Sequence, residues 1–74
     1  MKINDYLNTL KENQQVTVYL DTIDEDGEKC LYMLAYHHAG FLKKSTKAGW
    51  VRLEVLSKKQ APDGIVIIVQ DKGE

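Results

Sequence analysis

The sequence predicts an α+β fold of two layers, with elements in the order α-β-α-β-β and a three-stranded sheet under one long helix. Three patterns point there. Residues 16–21 and 51–55 alternate apolar with polar side chains, and residues 65–69 are a continuous β-branched run. Residues 28–44 carry an apolar arc at helical spacing. A strand, a helix and a strand in succession favour a right-handed crossover between parallel strands. The lengths match: about 25 Å of helix against an eight-residue strand at ~3.3 Å per residue.

The first helix is read from Ile3, Tyr6, Leu7 and Leu10, which recur at i, i+3, i+4 and i+7. Asn4 is placed to cap its start, Asp5 suits the positive end, Lys11 the negative end, and Asn13 the termination. In the first strand, Val16, Val18 and Leu20 alternate with Thr17, Tyr19 and Asp21. The run Asp24-Glu25-Asp26-Gly27 then leads into Glu28–Lys44, read as the long helix, with the acids suited to its N-terminus. Cys30, Leu31, Leu34, Ala35, His38, Phe41 and Leu42 fall on one arc of it, with Tyr32, Tyr36, Ala39 and Gly40 opposite. A strand over Cys30–Tyr36 is the alternative, because both of its alternating faces would be apolar; the helical face is coherent for longer. Val51, Leu53 and Val55 alternate with Arg52 and Glu54, and Ile65–Val69 closes the sheet. The connection Ser57–Gly64, with its turn signal Pro62-Asp63-Gly64, makes these two strands an antiparallel hairpin with a long basic loop.

One sheet face, with Val16, Val18, Leu20, Val51, Leu53, Val55, Ile65, Ile67 and Val69, is purely apolar and is assigned to the long helix. The opposite face holds Tyr19, Trp50, Leu56, Val66 and Ile68 among Thr17, Asp21, Arg52, Glu54 and Gln70. An exposed sheet face does not normally carry so many large apolar groups, so something covers it. The two candidates are the first helix and another protein surface, either a second copy or a target. Interaction residues on this reading are Tyr19, Trp50, Leu56, Val66 and Ile68, with the pair Tyr32 and Tyr36 on the outer side of the helix.

Composition limits the classes that remain. The chain has 74 residues, a formal charge of −1, 43% hydrophobic and 28% charged residues, which fits one small globular α/β domain over 1–74. That excludes a disordered tail, a collagen-like chain and a disulfide-rich scaffold. A lone cysteine, Cys30, suits a reducing, cytoplasmic setting. The longest apolar run, Cys30–Tyr36, is far short of the ~20 residues of a membrane span, and the polar N-terminus is no signal peptide. Domains this small reach only a few kcal/mol of net stability unaided, so self-association or a protein partner is expected.

Chemistry-bearing patterns are sparse. Cys30, His37 and His38 lack metal-ligand spacing, and Asp24–Glu28 fails the calcium-loop pattern, which would put Thr22 and Met33 at its acidic ends. No glycine-rich phosphate loop, nucleophile elbow or carboxylate pair is present, so the expectation is a non-enzyme without metal or cofactor. The near-neutral total hides a dipolar chain: residues 1–28 carry two bases and seven acids, residues 29–59 seven bases and one acid. Lys43, Lys44, Lys47, Arg52, Lys58 and Lys59 are the basic concentration, and a nucleic-acid-binding hairpin loop is the alternative function they suggest.

Two resemblances add to this. Ile3-Asn4-Asp5, Lys11 and Thr17-Val18 with Leu20 resemble the opening helix and strand of a small phage-encoded anti-CRISPR inhibitor over about 20 residues. The likeness implies a mobile-element inhibitor that occludes a target protein. The acidic C-terminal half that lets that inhibitor imitate DNA is missing here, so DNA mimicry is not implied. From Val16 onward the expected order strand-helix-strand-strand resembles the dodecins, with Trp50 where that family stacks a flavin. That likeness implies an oligomeric small-ligand carrier.

Overall fold

The computed structural model describes residues 1–45, 50 and 52–71; Lys47 and Val51 lie outside them. Its elements are α1 (Ile3–Leu7), β1 (Gln15–Ile23), β2 (Lys29–His38), α2 (Ala39–Ser45), β3 (Leu53–Ala61) and β4 (Gly64–Asp71). The fold is α+β, but not the three-stranded sheet under a long helix. It is a four-stranded mixed sheet in the order β2-β1-β4-β3, with two short helices. No helix among the described residues is long and apolar enough to cross a membrane.

The segment expected to be helical over Glu28–Lys44 divides into strand and helix. Asp24-Glu25-Asp26-Gly27 does not cap a helix; it turns a hairpin. The Asp24 carboxylate accepts the N–H groups of Asp26 and Glu28, both at 2.9 Å. Asp24 N–H donates to Glu28 O at 2.8 Å, and Gly27 takes φ +83°, a value that favours glycine. The chain therefore folds straight back, and β2 pairs antiparallel with β1 from Ile23↔Lys29 to Gln15↔His38. Only Ala39–Ser45 is helical.

The parallel pair is β1 with β4, in register Val16↔Ile65 to Leu20↔Val69, so the crossover spans β2, α2 and β3 rather than one helix. The expected loop Ser57–Gly64 is mostly strand. Strand β3 runs to Ala61 and pairs antiparallel with β4, leaving Pro62-Asp63 as the turn. Its lysines therefore sit on a strand.

The purely apolar face is covered not by a long helix but by the two short ones. Ile3, Tyr6 and Leu7 of α1 and Ala39 and Leu42 of α2 enclose Val16, Val18, Leu53, Ile67 and Val69. Leu10, Leu20, Leu34, Ala35, Trp50, Val55 and Ile65 pack around them. Burying one such aliphatic side chain contributes roughly 1.5–3 kcal/mol, so this single layer is the main stabilising term. Helix α1 keeps the predicted spacing but is shorter, and Lys2, not Asn4, occupies its N-cap without a side-chain bond. Asn4 lies inside the helix with its Oδ1 buried and without a hydrogen-bond partner among the described residues.

Because α1 joins the core on that side, it does not cover the opposite sheet face. Outer edges differ too. Along β3, Lys2 bridges Glu54, Val55 N–H donates to Met1 O at 2.8 Å, and the Met1 amine lies 3.1 Å from the Glu54 carboxylate. Along β2, no described strand pairs with the outer side.

Candidate protein-docking surface

Strand alternation sends Val16 and Val18 into the core and turns Thr17, Tyr19 and Asp21 to the opposite face. The registers then build two rows across the sheet. One reads Tyr36, Thr17, Val66, Lys59 and the other Met33, Tyr19, Ile68, Ser57. Each row crosses four strands, about 14 Å. Leu31 stands beside Asp21 as the start of a third. Neither α1 nor α2 lies on this face, since both pack on the core side.

A β-bulge decides which β2 residues share the face. Val18 pairs with Ala35 but Tyr19 with Met33, so Leu34 is the extra residue. Leu34 and Ala35 both pack on the core, while Leu31, Met33 and Tyr36 turn outward and are more than half exposed. Tyr19, Val66 and Ile68 are half-buried. Together these side chains form an apolar and aromatic floor flanked by Asp21, Lys29 and Lys59. Shape and apolar contact are the chemistry that such a floor offers.

Of the residues expected to interact, Tyr19, Val66, Ile68 and Tyr36 come together on this face. Tyr32, opposite Leu20, lies toward the other face at the sheet margin. Leu56 is exposed at a bulge of β3, between Val55↔Val69 and Ser57↔Ile68. Trp50 packs against the core rather than on the open face. The sequence pattern places Thr17 on this face but, reading β2 as helix, does not bring Leu31 and Met33 to it. The strand alternative for Cys30–Tyr36 would have supplied them.

The basic residues do not form one patch. Lys43 Nζ donates to Leu10 O at 2.7 Å, tying α2 to the segment after α1. Lys58 Nζ lies 4.6 Å from the centre of the Tyr6 ring, on the helix side of the sheet. Lys59 belongs to the open face, and Arg52 pairs with Asp71 at 3.4 Å. Lys44 is exposed on α2.

Cys30 and His37 are on one extended strand, seven positions and roughly 23 Å apart. His37 stacks on Phe41 with ring centroids at 3.9 Å, and its Nδ1 accepts the His38 N–H at 2.8 Å. Among the described residues, no group of three or more His, Cys, Asp or Glu side chains is arranged to hold a metal ion.

No protein-family model matches the chain, and neither a curated protein nor a solved structure is significantly similar to it. The likeness to the anti-CRISPR inhibitor therefore rests on the few residues quoted for it. The dodecin-like element order is not the observed one, which from Gln15 onward is strand-strand-helix-strand-strand.

Proposed function

We propose that this chain is a small non-catalytic protein-binding module that acts by laying its open sheet face on another protein and covering it, as a mobile-element inhibitor would. One observation supports this reading above all. Tyr36, Thr17 and Val66 run beside Met33, Tyr19 and Ile68 as adjacent apolar rows with no described helix over them. A free sheet face is ordinarily polar, and contiguous apolar patches of this kind mark interaction sites. Aromatic and methionine side chains are also the types enriched where proteins meet.

The nucleic-acid alternative draws less support, because Lys43, Lys58 and Arg52 are engaged with the protein itself. The test is affinity capture from the source cells with three tagged forms compared quantitatively. A partner held by the wild type and by Lys58→Ala, but lost with Ile68→Lys, supports docking through the open face. Equal capture by Ile68→Lys contradicts it.

A further inference from the structure

Strand β2 is exposed in an unusual way. Leu31, Tyr32, Met33 and Tyr36 are 53%, 61%, 51% and 57% exposed, and the strand's outer edge is bare among the described residues. Long apolar edge strands are normally shortened, charged or covered, because their free N–H and C=O groups template further pairing. On the other edge of the sheet, Met1 and Lys2 engage the start of β3 at Glu54 and Val55, and its far half is charged by Lys58 and Lys59.

We propose that β2 pairs antiparallel with β2 of a second copy of this chain, joining two sheets into one continuous eight-stranded sheet. Three features select this occupant. The first is register. Ala39 N–H bonds to Gln14 O, and Asp24 N–H to Glu28 O, at the two ends of the β1–β2 ladder. Counted from those bonds, the backbones of Lys29, Leu31, Met33, Tyr36 and His38 point away from β1. The same five side chains lie on the open face. Because the bulge at Leu34 shifts the alternation by one, Leu31 of one copy can oppose Tyr36 of the other, and Lys29 can oppose His38. Outward backbone then meets outward backbone, and open face meets open face. A two-fold axis near Met33 and Leu34 satisfies both copies at once.

The second feature is charge. Asp24, Glu25, Asp26 and Glu28 cluster before β2, while the α2 lysines Lys43 and Lys44 follow its far end, where Glu12 beside Gly40 is the acid. Antiparallel pairing sets the acidic turn of each copy beside the opposite end of the other. Parallel pairing would set four carboxylates against four. The third is area. The four large side chains hold about 400 Å² of exposed surface per copy, at ~200 Å² for a full-sized ring residue. Edge pairing covers part of that surface together with the two backbone edges, a contact at the small end of protein interfaces. The contact closes on itself, since a two-fold axis uses the same β2 edge of both copies.

The pairing uses the edge, so it leaves Tyr19, Val66 and Ile68 free, and it stands or falls separately from docking through the face. The test combines sedimentation of the purified full chain across a wide concentration range with residue-resolved hydrogen exchange. The expected result is a monomer–dimer equilibrium in which the Leu31, Met33 and Tyr36 amides exchange about tenfold or more slowly at high concentration than on dilution. The Tyr32 and Ala35 amides, bonded to β1, stay slow at both. A Leu31→Lys variant, which charges the edge, is expected to be monomeric at every concentration, with an unfolding midpoint equal to that of the wild type at its monomeric dilution. A wild-type chain that is monomeric throughout overturns the proposal. So does a dimer in which the Leu31, Met33 and Tyr36 amides remain fast, or one that survives Leu31→Lys.

Discussion

Replacing Gly64 with alanine tests the strand arrangement that creates the open face. Gly64 begins β4 at φ +148°, and a Cβ built there would lie 2.6 Å from Gln15 O and 3.0 Å from Gln15 Cβ. Backbone in this region costs a non-glycine residue about 1–3 kcal/mol. The oxygen belongs to the backbone of β1, so the contact is relieved only by shifting β4 against β1 where Val16 pairs with Ile65. A further 1–2 kcal/mol is a reasonable scale for that displacement of packed elements. The expected loss is therefore about 3 kcal/mol, a large part of the ~4–11 kcal/mol expected for a chain of this size. Gly27 is the internal control. Its φ is +83°, but a Cβ there meets nothing within 4 Å, so Gly27→Ala should cost only about 1 kcal/mol. Urea unfolding of the three proteins, at equal protein concentration, gives the comparison from the midpoints at constant m. Equal losses for the two alanines would refute the parallel placement of β4 beside β1.

Other expectations concern the core, the turn and the face. Ile67→Ala, at a fully buried central position, should destabilise by about 2–5 kcal/mol in the same urea titration. Asp24→Ala removes the acceptor for two turn N–H groups and should cost about 1 kcal/mol, read as a lowered thermal midpoint. Tyr36→Ala, by contrast, should leave stability within about 0.5 kcal/mol, because the ring is mostly exposed. Against a partner docked on the open face, the same variant should weaken binding by about 1–2 kcal/mol, measurable by calorimetry.

Much of the core was legible because its signals are local. Ile3, Tyr6, Leu7 and Leu10 mark a helical face, and all four reach the core or its margin. Val16 and Val18 fix β1, and Ile65–Val69 marks the central strand β4 by its unbroken β-branched run. Strand β2 was not legible for a specific reason. Cys30–Tyr36 is apolar at every position, so both periods fit it. The bulge then turns Leu34 and Ala35 to the same side, a pairing of neighbours that mimics a helical arc. Leu42, on the genuine helix α2, lengthened the false periodicity. Lys58-Lys59-Gln60 concealed the far half of β3 in a different way. An edge strand tolerates polar side chains when its partner, here Val66 and Ile67 of β4, is apolar. The open face was anticipated through Tyr19, Val66 and Ile68, whereas Trp50 was misassigned because its strand starts later, at Leu53.

The working role of that face is tested most directly by a photo-crosslinking side chain placed at Tyr19, with the same group at Asn13 as a control outside the face. The expected result is a discrete heterologous protein adduct from Tyr19, absent from Asn13 and suppressed by excess unlabelled wild type but not by Ile68→Lys. Indistinguishable labelling from Tyr19 and Asn13, or suppression by Ile68→Lys as strong as by wild type, would contradict it.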